Sequence, residues 1–194
     1  NNQKLDKTID ILIRKSLKSL NSKKIEGVFI YNIKYFINNK NIQHEIINVL
    51  KKYKRKKIIN KIGFSFYTLN ELNQVLNIFK PDMVQVPINI FDQRFLDKKI
   101  IKKLIKSKIE IHARSIFLRG NLIENNEFES VSVKKKIQQF EKWCELKKVD
   151  KISACINYVR QYKFISNIIL GIDNKIQLQK IIQIFKKKFF NVPN

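Results

Sequence analysis

The chain has 194 residues, 44% of them hydrophobic, so it is long enough for one domain with a substantial core and too apolar for a disordered chain. No apolar stretch approaches the roughly 18 uncharged residues of a membrane-spanning helix, and no signal-peptide core is present. The formal net charge is +24, but Lys, Asn and Ile are in excess together along the chain. The basic runs therefore predict solvated helix faces, with weak nucleic-acid binding that does not depend on sequence.

The cysteines and histidines give no sign of a disulfide or a metal site. Cys144 and Cys155 lie on predicted helical sequence, roughly 16 Å apart if the helix is continuous, which is too far for a disulfide. We therefore expect reduced thiols and a cytoplasmic protein. His44 and His112 stand alone without ligand-like spacing, and we assign Trp143 to the core.

Apolar spacing along the chain predicts helices that alternate with buried strands. Thr68 and Glu71 form the pattern of a capping box at the start of one helix. In chain order the predicted elements are a helix over 5–20, a strand over 24–33, a helix over 42–56, a strand over 61–66, a helix over 69–80, a strand over 83–89, a helix over 97–108, a strand over 109–117, a helical region over 133–162 that is broken near Val149–Asp150, a strand over 164–172 and a helix over 176–189.

Five strands in alternation with helices predict an α/β fold with right-handed crossovers and a parallel sheet. The strands are apolar runs without clean alternation, as expected when both faces of a sheet are covered. A glycine-rich phosphate loop is absent from the sequence, which counts against a Rossmann or P-loop fold. A flavodoxin-like sheet and part of a (β/α)₈ barrel remain, and a complete barrel needs eight strands.

Five stretches of the chain, in order and in register, resemble the aldo/keto reductase family. Residues 61–76 resemble the family's "iGvS" strand, and 81–95 resemble its next strand, with a Gln and a following Asn. Residues 109–122 are similar to the segment written "i.v.A.SpL..G.L". The stretches 16–33 and 165–181 resemble the segment "SL..L....iD..l.H.p" and the last strand and helix. The branch with "VQvPyN…DqRf" and "RSiFLqG", often found among sugar-modifying genes, is the most similar.

The resemblance implies an incomplete TIM barrel, a parallel (β/α) repeat with about five of eight strands. The chain, which lacks an initiator Met, would form a single domain over 1–194, from the helix before strand four to the end of the barrel, with strands one to three missing. The family's catalytic Asp, Tyr and Lys belong to that missing part. The family's catalytic His, at the end of strand four, falls on Tyr31, whose hydroxyl can still donate a hydrogen bond to a carbonyl.

The resemblance also implies a cofactor site at the carboxyl ends of the strands. Ser65 and Gln85 would hold the nicotinamide carboxamide; an ordinary strand-end serine and a core hydrogen bond are the alternatives. Asn89 would contact substrate or cap a turn. We expect Ser65 and Gln85 to converge from adjacent strands above the narrow Gly63, on the same rim as Tyr31, Arg114 and Gly171.

Later segments would complete that site. Arg114 stands where many family members place an aromatic that stacks on the nicotinamide. Ser115, Phe117 and Arg119 match the loop that wraps the pyrophosphate, and Gly120 would let that loop approach closely. Gly171 falls where members that prefer NADP carry a Lys, and Gln177 replaces a frequent Arg. NADP and NAD both remain open, and the resemblance favours NADPH.

The implied function is NAD(P)H-dependent reduction of an aldehyde or ketone, a small-molecule carbonyl substrate related to sugars. We expect this chain alone to be inactive, and we expect its open sheet edges to cause disorder, homodimer formation or low stability. The alternative is a barrel remnant without catalytic activity that acts as a basic binding module. Neither function predicts specific nucleic-acid binding or a membrane partner.

Overall fold

The computed structural model of the chain describes residues 2–118, 120 and 131–193. Helices and strands alternate along these residues, as the apolar pattern predicts. In chain order the elements are α1 (Asn2–Ser19), β1 (Ile25–Ile30), α2 (Ile33–Asn38), α3 (Lys40–Arg55), β2 (Ile59–Ser65), α4 (Leu69–Ile78), β3 (Met83–Pro87), a 3₁₀ turn (Arg94–Leu96), α5 (Lys98–Lys106), β4 (Glu110–Arg114), α6 (Val131–Lys147), α7 (Lys151–Arg160), β5 (Ile165–Ile168) and α8 (Lys175–Lys186).

The five strands form one sheet in chain order, β1-β2-β3-β4-β5. The pairs β1–β2, β2–β3 and β4–β5 are parallel. Strands β3 and β4 are joined near their starts by the Glu110 amide, which donates to the Asp82 carbonyl at 3.0 Å, and near their ends by the Ile88 amide, which donates to the Arg114 carbonyl at 3.2 Å. A flavodoxin-like sheet has the order 2-1-3-4-5, so the observed order confirms the incomplete barrel instead.

The described residues divide into two compact units. The first comprises Asn1–Gln85 and Lys106–Glu110, and the second comprises Val86–Ile105 and Ile111–Asn194, each within the described ranges. The prediction of a single domain over 1–194 stays a prediction.

The core of the first unit lies between the sheet and the helices α2 to α4. Phe36 of α2 meets Phe64 of β2 edge-on, with ring centroids 4.9 Å apart, and both side chains are fully buried. At the surface of the sheet, Lys61 bridges Glu110 at 2.8 Å and Glu26 at 2.6 Å. Hydrogen bonds to those two carboxylates raise the pKa of Lys61 above its usual value, with the larger effect from Glu110, so this lysine stays charged.

The second unit is built around α7. Residues 154–159 of α7 are all buried, as Ile152 is, and α7 contacts α6, α8 and β5. Asp150 begins this helix as its N-cap, accepting a hydrogen bond from the Ser153 amide at 3.0 Å. The predicted break near Val149–Asp150 is therefore confirmed, and the cap explains it. Cys144 and Cys155 lie on different helices and are buried free thiols.

Three strand ends differ from the predictions by three residues or more. The strand predicted over 24–33 ends at Ile30, because Asn32 caps the unpredicted helix α2 by accepting a hydrogen bond from the Tyr35 amide at 3.2 Å. The strand predicted over 109–117 ends at Arg114, because Ser115 has a left-handed φ of 57°. The strand predicted over 164–172 ends at Ile168, and its faces are partly exposed rather than covered.

Candidate functional site

Three of the predicted site residues lie in the first unit, at the carboxyl ends of neighbouring strands. In the register of β1 and β2, Ile30 pairs with Phe64, so Tyr31 and Ser65 are the residues that follow this pair along the two strands. In the register of β2 and β3, Ser65 pairs directly with Gln85. The strands therefore bring a phenol, a hydroxyl and an amide to one end of the sheet, where α/β barrels carry their sites.

Ser65 and Gln85 converge, as the sequence analysis predicts. The Ser65 hydroxyl donates a hydrogen bond to Gln85 Oε1 at 3.1 Å, and both residues are buried. The bond satisfies the buried hydroxyl and the buried amide oxygen, and it matches the core hydrogen-bond alternative for Gln85. The pair has the donor and acceptor groups that complement a carboxamide, but a ligand of that kind would have to replace the present bond. Tyr31 is different, because 61% of it is exposed.

Gly63 is narrow for a different reason from the one the sequence suggests. A Cβ at Gly63 would lie 2.6 Å from Cγ of Met83 and 2.7 Å from Cε1 of Phe29. The same Met83 side chain crowds Gly27 on the neighbouring strand. The two glycines therefore make room for the chain's only methionine and one phenylalanine, which is a requirement of the protein core rather than of a ligand.

Asn89 lies in the second unit, in the loop after β3, where it is almost fully buried. Its Oδ1 accepts hydrogen bonds from the amides of Phe91 at 2.9 Å and Asp92 at 2.8 Å. Its Nδ2 donates to the Ser115 carbonyl at 3.0 Å. These contacts match the turn-capping alternative, and they join the loop after β3 to the loop after β4. Contact between Asn89 and a substrate stays a prediction.

Arg114 and Ser115 lie beside that junction. The guanidinium of Arg114 donates to the Ser115 hydroxyl at 3.1 Å, and both residues are half-buried. The left-handed backbone of Ser115, a conformation that a serine rarely adopts, is held by Asn89 on its carbonyl. Arg114 is therefore not a freely exposed surface arginine.

The predicted pyrophosphate loop is described only in part. Phe117 is buried, and Gly120 has a φ of 89°, a left-handed backbone that glycine adopts without strain. Arg119 lies outside the described residues. The cofactor roles of this loop stay predictions.

Gly171 and Gln177 lie at the turn into α8. Gly171 has nothing within 4 Å of an added Cβ. The side-chain oxygen of Gln177 accepts a hydrogen bond from the backbone amide of Asp173 at 2.7 Å. The backbone amide of Gln177 donates to Oδ1 of Asn174 at 2.9 Å. These bonds form the start of a helix, and the cofactor roles of both residues stay predictions.

The structure thus brings together Ser65 with Gln85 in the first unit, and Asn89 with Arg114 and Ser115 in the second. The second group was missed as a group, since sequence alone does not show that an asparagine after one strand reaches the carbonyl after the next. Among the described residues, no cluster of three or more His, Cys, Asp or Glu could hold a metal ion. No helix within the described ranges is long and apolar enough to cross a bilayer.

A parallel α/β sheet in chain order, with polar residues at the carboxyl ends of its strands, is the architecture of a (β/α) barrel. The family model for the aldo/keto reductase family matches residues 4–191, and the chain belongs to this family. Comparison with curated proteins gave no significant match.

Solved structures of aldo/keto reductases share the fold. The apo form of aldo-keto reductase AKR11C1 from Bacillus halodurans is 13% identical, with a TM-score of 0.77 over 96% of this chain and 65% of that one. Its holo form gives a TM-score of 0.74 over 96% and 64%, again at 13% identity. The glycerol dehydrogenase AKR11B4 from Gluconobacter oxydans is 16% identical, with a TM-score of 0.63 over 92% and 63%. The chain therefore spans slightly less than two thirds of the length of these structures.

Proposed function

We propose that this chain forms the greater part of the cofactor site of an NAD(P)H-dependent aldo/keto reductase, which reduces an aldehyde or ketone. The observation that carries the proposal is the buried pair of Ser65 and Gln85 at the ends of adjacent parallel strands. Family membership and the likeness to a holo form of AKR11C1 support it.

Ser65 and Gln85 have complementary tasks in this proposal. The Ser65 hydroxyl turns from Gln85 to donate to the carbonyl oxygen of the carboxamide, and Gln85 Oε1 accepts from the carboxamide nitrogen. Both bonds form in a dry environment, since the two residues are buried, so they orient the ring strongly. The nicotinamide, when bound, supplies a hydride.

Tyr31 is the residue of this chain that we place next to the substrate. It follows β1, one position beyond the pairing with β2, and its side chain is exposed. Its hydroxyl donates a hydrogen bond to the carbonyl oxygen and polarises the carbonyl bond. Unlike an imidazole, a phenol serves as a hydrogen-bond donor rather than as a proton shuttle.

The remaining proposed roles belong to residues of the second unit. Arg114 stacks on a planar ring or meets an anionic group, and Ser115 with the segment that includes Phe117 and Arg119 binds the pyrophosphate. NADPH is the favoured cofactor by family resemblance. Gly171 falls where members that prefer NADP carry a Lys for the 2′-phosphate, Gln177 replaces a frequent Arg, and Asn89 is the proposed substrate contact.

We expect the chain alone to be inactive, because the family's Asp, Tyr and Lys match no position in it. A sugar-related carbonyl is the proposed substrate, and the likeness of the fold to a glycerol dehydrogenase supports a polyhydroxylated compound. A cytoplasmic protein agrees with two buried free thiols. Exposed apolar side chains in the second unit, such as Ile172 and Ile176, support a homodimer.

The second candidate function is a non-catalytic barrel remnant that binds a polyanion. The net charge of +24 favours it, because a strongly basic protein attracts phosphates without any built site.

Calorimetric titration with NADPH at physiological salt separates the two functions. The reductase proposal expects saturable binding, which weakens about fivefold or more in Ser65→Ala, because one hydrogen bond to the carboxamide is lost. Ser16→Ala changes an exposed serine of α1 and serves as the control. Absence of saturable binding, or equal binding by both variants, contradicts the proposal. NADPH consumption with aldehydes should stay at background, and robust turnover by this chain would disprove the expected inactivity.

A further inference from the structure

We propose that a groove in the second unit binds a small planar aromatic anion. The groove has a volume of about 640 Å³ and lies between the loop after β3, the helix α6 and the C-terminal segment. Ligand pockets commonly have volumes of about 300 to 1,000 Å³. The inference does not depend on the proposed reductase activity.

Aromatic rings form one side of this groove. Phe140 and Trp143, one turn apart on α6, stand nearly parallel, with an interplanar angle of 13° and centroids 6.5 Å apart. Phe91 meets Phe140 edge-on, at 84° and 6.2 Å. Phe140 is buried whereas Trp143 and Phe91 are half-buried, so part of the aromatic surface remains open to a ligand. Trp143 is thus half-buried in the groove and not a core residue, contrary to the sequence-based assignment.

The groove walls are built before any ligand arrives. Asn89 fixes the backbone of the loop by accepting hydrogen bonds from the amides of Phe91 and Asp92. The C-terminal segment is held where the Val192 amide donates to Gln161 Oε1 at 3.2 Å, and Val192 is buried. A pocket that is already formed costs a ligand little ordering entropy.

The charge around the groove selects an anion. Among the described residues that line it, Lys136 carries the only formal charge, and Gln93 and Gln139 add amide groups. The nearby carboxylate of Asp92 is already paired with Arg94 at 2.7 and 2.8 Å, so it does not offset Lys136. A ring against Trp143 with a carboxylate towards Lys136 satisfies both features, since aromatic stacking and a charge-assisted hydrogen bond act together.

The single tryptophan of the sequence makes this site directly observable. In a ¹H–¹⁵N spectrum, the indole N–H of Trp143 gives one resonance, which reports on the groove alone. We would titrate the full chain with 2-naphthoate, and with 2-naphthamide as an uncharged ligand of the same shape. Lys136→Gln removes the proposed charge, and Lys135→Gln, the neighbouring exposed lysine that does not line the groove, is the matched control.

We expect a saturable shift of the Trp143 resonance with 2-naphthoate, and binding at least about tenfold weaker for 2-naphthamide. Lys136→Gln should weaken 2-naphthoate binding about tenfold, whereas Lys135→Gln should change it less than twofold. Both lysines are exposed, so neither substitution should disturb folding. The proposal is overturned if millimolar 2-naphthoate causes no saturable shift, or if both ligands bind equally. It is also overturned if the resonance moves with protein concentration instead, because a second copy then covers the groove.

Discussion

Gly63 is a residue at which the packing of the first unit leaves very little room. An added Cβ would lie within 2.8 Å of Met83 and Phe29 atoms, well inside normal contact distance. Gly63→Ala should therefore lower the free energy of unfolding by about 1 to 3 kcal/mol, the usual cost of overpacking a core. Urea unfolding followed by circular dichroism measures this change.

The matched control is Gly171→Ala. No atom lies within 4 Å of a Cβ added at Gly171, and its φ lies outside the left-handed range. The free energy of unfolding of this variant should lie within about 0.5 kcal/mol of that of the parent chain, as is usual for surface substitutions. Equal losses in both variants would show that the crowding at Met83 is not the cause.

Asn89 satisfies three backbone groups with one side chain. Asn89→Ala leaves the amides of Phe91 and Asp92 and the carbonyl of Ser115 without this partner, so we expect a loss of about 2 to 4 kcal/mol in unfolding free energy. Asn89→Asp keeps the acceptor for the two amides but places a carboxylate oxygen opposite the Ser115 carbonyl, so it should also be less stable than the parent. A variant as stable as the parent would contradict the capping role.

The sequence predicted the pair of residues at adjacent strand ends, but not the contact between the loops that follow β3 and β4. Ser65 and Gln85 could be paired from sequence, because one helix of normal length links their strands and a parallel crossover aligns the ends. The bond from Asn89 to the Ser115 carbonyl could not be predicted, since it depends on the left-handed turn at Ser115, a conformation that the residue type does not favour.

At the scale of elements, the capping box of α4 is the local signal that best matches the structure. Thr68 accepts from the Glu71 amide at 3.2 Å, and Glu71 accepts from the Thr68 amide at 3.1 Å. Thr68→Ala should cost about 1 kcal/mol, and Thr68→Ser, which keeps the hydroxyl, should cost much less. Thermal unfolding of both variants tests this, and equal melting temperatures for Thr68→Ala and the parent would contradict it.

The elements that sequence predicted poorly are those set by a single side chain or by the surroundings. Helix α2 depends on the cap at Asn32, and its residues look like the continuation of a strand. Strand β5 has four residues, although the apolar run that contains it is longer. The pattern alone could not predict this length, because it does not show where the partner strand β4 ends. Longer periodic elements such as α1 and α3 were predicted closely.

At the scale of the whole molecule, charge is the largest feature not used by the reductase proposal. A net charge of +24 should give weak binding to any duplex DNA at low salt. We expect the logarithm of the affinity to fall linearly with the logarithm of the salt concentration, with no preference among sequences, as fluorescence anisotropy can measure. Nanomolar affinity for one defined sequence at physiological salt would favour the binding module over the reductase.

The chain forms a sheet of five parallel strands in chain order, and it spans slightly less than two thirds of the related structures. Both observations agree with an incomplete barrel. The chain carries the part of the barrel that holds the cofactor in the proposed function. Binding of the cofactor and turnover should therefore be separable in this protein.

The most direct measurement compares two reduced dinucleotides on the chain and on Gln85→Leu. One is NADPH, and the other is its 3-acetylpyridine analogue, in which a methyl group replaces the amide nitrogen that Gln85 is proposed to bind. The parent chain should prefer NADPH about fivefold, which corresponds to one hydrogen bond of about 1 kcal/mol, and Gln85→Leu should bind both equally. The same preference in both proteins, or no saturable binding of NADPH to the parent chain, would contradict the carboxamide site at Ser65 and Gln85.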